Sequence, residues 1–125
     1  MYRIAVTRRF DAAHKLKGHP GKCAQLHGHS WVVEAVLISR QTGSDGMVLD
    51  FDKAGVALSD AVASYDHVYL NEVPPFDSEP PTAENVARVV FMRLIERIER
   101  ESWPVKLESV TVWESEGARA SFSSE

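Results

Sequence analysis

His27-Gly28-His29 puts two imidazoles two residues apart. In extended chain such residues point to one side, so both rings can face a single metal ion, and the glycine between them adds no bulk. His14 follows an alternating stretch and joins them if strands one and two pair as a hairpin. Three neutral nitrogen donors with a position left open suit a catalytic zinc rather than a structural one. Isolated histidines are more often surface or core polars, so only the three together point to a metal. Cys23, four residues before His27, is by spacing alone equally a fourth ligand, a buried apolar side chain or a thiolate acting beside the metal. Asp66-His67 sets a carboxylate beside an imidazole, a pair that can position and tune a general base, although neighbours in a loop often point apart. Glu114 directly follows Trp113 at the end of an apolar run. A carboxylate there can accept two parallel N–H donors from a heterocycle with an amino group beside a ring N–H, or it can be a solvated strand end.

The elements that must position these groups follow from periodicity. Tyr2, Ile4, Val6 and Phe10 alternate with polar residues, the period-two pattern of a strand with one buried face. Residues 13–28 read as a long structured loop, and a second strand runs from about His29 through Ile38 to the Asp45-Gly46 turn signal. Met47-Val48-Leu49 reads as briefly extended. Asp52 is the expected N-cap of a helix reaching about Ser64, with Phe51 stapled onto Val56. Pro74, Pro75, Pro80 and Pro81 make 65–81 a loop. Thr82 then caps a helix over 83–101, with a Val86, Val89, Val90, Leu94, Ile95, Ile98 stripe and a Glu96–Arg100 pair on its wet side. Strands over Val105–Glu114 and 118–123 close the chain, joined at Gly117. The order ββααββ predicts an α+β domain: a four-stranded antiparallel sheet with two helices packed on one face. Its two edges, rich in Val and Ile, invite self-association.

The chain has 125 residues, 44% of them hydrophobic, which suits a single domain over 1–125 with a core large enough to need no structural metal. Its net charge of −4 argues against nucleic acid as main partner. Residues 1–22 nevertheless carry Arg3, Arg8, Arg9, Lys15, Lys17 and Lys22 against Asp11 alone, a field that draws small anions. Apolar stretches fall far short of the roughly 20 residues of a membrane span, and no signal-peptide pattern opens the sequence, so a cytoplasmic protein is expected. One cysteine, Cys23, excludes an internal disulfide.

In order, Phe10-Asp11-Ala12-Ala13-His14, Cys23 through Ser30, Val48-Leu49-Asp50-Phe51, Asp66 through Asn71, Pro81 through Asn85 and Glu114-Ser115 resemble the 6-pyruvoyltetrahydropterin synthase family. Three residues between the cysteine and His-Gly-His resemble its bacterial 6-carboxytetrahydropterin synthase branch, of the queuosine and 7-deazapurine pathway. The resemblance implies the tunnelling fold, assembled as two stacked trimers with sites between subunits. It implies zinc on His14, His27 and His29, Cys23 as base, His67 oriented by Asp66 as the second acid–base group, Glu114 as pterin anchor and Thr82 in the pocket. The implied reaction converts 7,8-dihydroneopterin triphosphate to 6-carboxytetrahydropterin, acetaldehyde and triphosphate. For the leaving triphosphate Lys15, Lys17 and Lys22 are the cationic candidates, on charge and position alone. The rival readings are 6-pyruvoyl synthesis, which eliminates triphosphate and keeps the side chain, and a non-catalytic zinc module with Cys23 as fourth ligand. Tyr65, Ser115 and Phe122 depart from the usual family residues, which touches pocket detail rather than chemistry.

Overall fold

The computed structural model describes residues 1–124. Strand β1 (Tyr2–His14) is followed by β2 (His27–Ser39), α1 (Phe51–Val62), β3 (Val68–Tyr69), α2 (Ala83–Glu101), β4 (Lys106–Ser115) and β5 (Ala118–Phe122). The sheet order is β3-β1-β2-β4-β5, and both helices pack on one face.

The sheet therefore has five strands and is mixed, where four antiparallel strands were expected. Val68 and Tyr69 pair parallel with Ala12 and Ala13. Two residues cannot display a period, so this strand exists only because β1 offers an edge to it. The first hairpin is also longer than its apolar alternation, because backbone pairing continues past the point where the side-chain pattern stops: β1 runs on to His14 and β2 begins at His27, in the register His14↔His27 and Ala12↔His29. The loop between them shrinks to 15–26, with a 3-10 turn at Lys22–Ala24.

Even-numbered β1 residues and odd-numbered β2 residues face the helices, and Val6, Phe10, Trp31, Val33 and Leu37 are buried there. From α2, Val86, Val90, Phe91 and Leu94 close the core against Val110 and Val112 of β4, while Ile95 and Ile98 pack at its margin. On the opposite face Thr7, Arg9 and Asp11 of β1 are exposed, whereas Val36 and Thr111 nearer the middle of the sheet are buried.

Local details differ in instructive ways. Asp50, not Asp52, caps α1: its carboxylate accepts the Asp52 N–H at 2.7 Å. That shift makes Phe51 the first helical residue, so the expected staple does not form, and Phe51 and Val56 are 61% and 51% exposed. Residues 43–47 form a turn, closed by Gly43 N–H donating to the Met47 carbonyl at 2.9 Å, with Gly46 at φ 81°. The Glu96–Arg100 pair gives way to Arg97, which bridges Asp60 of α1 at 2.9 Å and Glu101 at 3.3 Å because its position faces the neighbouring helix.

Thr82 caps α2 as expected, accepting the Asn85 N–H at 3.1 Å. Replacing it with alanine is expected to cost about 1 kcal/mol by orphaning that donor. Urea unfolding checks this: the midpoint should fall with the slope unchanged.

Candidate functional site

The hairpin register sets His14, His27 and His29 on the helix-facing side of the sheet at one end, and β4 brings Glu114 to them across β2. One donor atom from each of the four lies within 4.8 Å of the other three. His14 Nε2 is 3.1 Å from His29 Nε2, and Glu114 Oε1 is 3.1 Å from His14 Nε2 and 2.8 Å from His29 Nε2. Trp31, fully buried, forms the floor, its ring centroid 5.0 Å from that of His14 and 5.5 Å from that of His29.

Backbone carbonyls orient two of the rings. His14 donates Nδ1–H to Pro81 at 2.8 Å and His27 donates Nδ1–H to Gln25 at 2.7 Å. In each neutral imidazole this leaves the Nε2 lone pair to face the centre, the outer-shell arrangement that prepares a metal ligand. Burial lowers the His29 pKa, opposed by the Glu114 carboxylate and reinforced by the other two imidazoles, which favours the neutral form that a metal needs.

Convergent lone pairs and a carboxylate repel one another unless a cation lies among them. The donor types, imidazole nitrogen and carboxylate oxygen, are those of zinc, and bonds of 2.0–2.1 Å in a tetrahedron separate ligand atoms by about 3.3 Å, near the distances found. The residues present thus fit the metal that the sequence implied.

Cys23 is half-buried in the 3-10 turn of the same loop, and its carbonyl accepts the Leu16 N–H at 2.8 Å, which ties the two ends of that loop together. Its thiol does not join the four donors. Lys22 precedes it, exposed. Asn71 pins the start of the loop, accepting Lys15 N–H at 2.9 Å and donating to the Lys15 carbonyl at 2.8 Å. Lys15, Lys17, His19 and Thr82 line a cavity of about 520 Å³ behind Pro81.

Asp66 and His67 form a second set. Their side chains meet at 2.9 Å, and Asp66 Oδ1 also accepts the Asp11 N–H at 2.9 Å. That backbone donor first, and the His67 ring second, hold the Asp66 carboxyl below the usual carboxylate range, so it stays ionised and can orient the ring. His67 takes a left-handed backbone, φ 59°, and is 76% exposed. The two sets remain separate among the described residues, although His29 and His67 both line one open hollow of about 570 Å³.

The backbone carbonyls of Pro81 and Gln25 and the Trp31 floor were not anticipated. Carbonyl partners leave no trace in residue types. The inward aim of Glu114 did leave one: it shares strand parity with buried Val110 and Val112.

A family model described as 6-pyruvoyl tetrahydropterin synthase matches residues 3–125. A 6-carboxy-5,6,7,8-tetrahydropterin synthase of Synechocystis sp. is 41% identical over 92 residues, 70% of each chain. The same name attaches to a protein of Aquifex aeolicus, 28% identical over 160 aligned positions and 99% of each chain. Among solved structures, 6-pyruvoyl tetrahydropterin synthase of Caenorhabditis elegans superposes with a TM-score of 0.86 at 26% identity, covering 99% of this chain and 96% of that one. No helix among the described residues is long and apolar enough to cross a membrane.

Proposed function

Because the chain belongs to the 6-pyruvoyl tetrahydropterin synthase family, we propose that it is a zinc-dependent 6-carboxy-5,6,7,8-tetrahydropterin synthase of 7-deazapurine biosynthesis, acting in the cytoplasm. The observation that carries this reading is the three-histidine cluster with its orienting carbonyls, with Cys23 in the loop that leads into His27 and not among the donors. The relatives that bear the carboxy name, and the spacing of Cys23 from His-Gly-His, favour this branch.

His14, His27 and His29 hold the zinc, which when bound supplies Lewis acidity toward the hydroxyl oxygens of the 7,8-dihydroneopterin triphosphate side chain. Cys23, as thiolate, accepts the carbon-bound proton whose removal lets charge pass into the pyrazine ring. His67, its Nδ1 turned toward ionised Asp66, accepts the proton of the neighbouring hydroxyl as the carbon–carbon bond breaks; one water is consumed to supply the second carboxyl oxygen of the product, and acetaldehyde and triphosphate leave. Glu114 takes the amino and ring N–H donors of the pterin, and Lys15, Lys17 and Lys22 offset triphosphate charge.

Assembly completes the site in this reading. β3 covers β1 only at Ala12 and Ala13, and Asp66 and His67 occupy the Asp11 backbone, so residues 2–10 of β1 form one free edge and β5 forms the other. Joining these edges head to tail closes a ring of identical chains, and two rings of three stack into a hexamer.

Product analysis with 7,8-dihydroneopterin triphosphate tests the activity. Acetaldehyde in equal amount to 6-carboxytetrahydropterin is expected. Triphosphate release without acetaldehyde assigns the chain to 6-pyruvoyl synthesis, the activity named for the C. elegans structure. Metal uptake without turnover leaves a non-catalytic module.

A further inference from the structure

A three-histidine centre with an open position does not account for where Glu114 lies. Its Oε1 is 2.8 Å from His29 Nε2, 3.1 Å from His14 Nε2 and 3.9 Å from His27 Nε2, so it points into the cluster. A hydrogen bond from His29 accounts for one of these contacts, but His14 and His27, whose Nδ1–H groups go to backbone carbonyls, turn lone pairs toward the carboxylate, which only a cation between them makes favourable. The strand imposes this aim: Glu114 continues the inward parity of Val110 and Val112, and its side chain is only 27% exposed. The separations scatter about the 3.3 Å or so that divides two ligands of one tetrahedral zinc.

We propose that in the substrate-free protein Glu114 is the fourth donor to the metal, and that it yields this position when substrate enters. The inference rests on the three-histidine centre proposed above. Glu114 closes the site while it is empty of substrate. Once displaced, the same carboxylate is free to accept the amino and ring N–H groups of the incoming heterocycle. One residue thus exchanges a cation for a pair of N–H donors. A ligand with hydroxyl oxygens but no such donors displaces Glu114 without compensating it and binds more weakly, so the exchange selects for a pterin-like edge.

Cobalt(II) serves as the probe, with the intact protein and its Glu114→Ala and Glu114→Gln variants. Competition against a chelator should show the alanine variant binding cobalt(II) about 10–100-fold more weakly, the range for disturbing a metal's ligand support. The cobalt(II) electron paramagnetic resonance lines should be unbroadened by ¹⁷O-water in the unchanged protein and broadened in Glu114→Ala, where water takes the vacated position. Glu114→Gln, which keeps the shape, should fall between them in affinity, and it carries the test if the alanine variant does not fold. Equal affinity of unchanged and variant proteins, or ¹⁷O broadening already present in the unchanged protein, overturns the inference. A His29→Ala control separates the two levels. If it still binds cobalt(II) as tightly as the unchanged protein, the metal centre itself is wrong; if it loses cobalt(II) while Glu114→Ala does not, only the role of Glu114 is wrong.

Discussion

Replacing Cys23 with alanine is expected to lower turnover of 7,8-dihydroneopterin triphosphate by on the order of 10²–10⁴-fold, the contribution of a positioned proton acceptor, and to leave metal content intact. The thiol stands outside the four converging donors, so its loss removes a base and no ligand. The small 3-10 turn that carries it is held through the Cys23 carbonyl and not through the side chain, so the loop should keep its shape. His27→Ala should behave differently, losing metal and turnover together, because it removes a nitrogen that Gln25 holds toward the centre. Metal analysis beside steady-state kinetics on both variants reads the difference. Release of metal by Cys23→Ala would make the thiol a ligand and return the closed four-ligand module to favour.

Mixing two inactive proteins, Cys23→Ala and His67→Ala, after reversible dissociation is expected to restore activity. Asp66 and His67 are exposed, carried on the short connection between α1 and β3, and do not merge with the histidine cluster of their own chain. If a neighbour's His67 serves each metal site, random reassembly of equal amounts gives about a quarter of sites with both groups intact, set by the cyclic head-to-tail interface. Activity near that fraction, set against neither parent alone, is the readout. No recovery despite proven subunit exchange would show that Cys23 and His67 act within one chain, across the hollow that His29 and His67 line together.

The long helix was legible almost residue for residue because its signals are local. Thr82 supplies the cap, the Val86 to Leu94 stripe supplies the period, and Pro104 follows the end. The start of α1 was less legible, since Asp50 and Asp52 both qualify as caps by type and only the backbone decides which carboxylate meets which N–H. Strand β3 was not legible at all, because two residues carry no periodicity and their pairing with Ala12 and Ala13 is non-local.

By itself the sequence determined the α+β class, the order of its long strands and helices, and the chemical types gathered around the first loop. These depend on alternation, capping and turns, interactions between residues close along the chain. The pairing that unites His14 with His27 and His29 was only a condition until the register fixed it. What Glu114 faces, which carbonyls turn the rings and whether the thiol joins the donors were decided only by the tertiary structure. Glu114 and His14 lie 100 positions apart and meet at 3.1 Å because β4 pairs with β2 in one register, and a slip of one residue would turn that carboxylate to the other face of the sheet. Residue types name the possible donors, but only long-range register brings them to a common point.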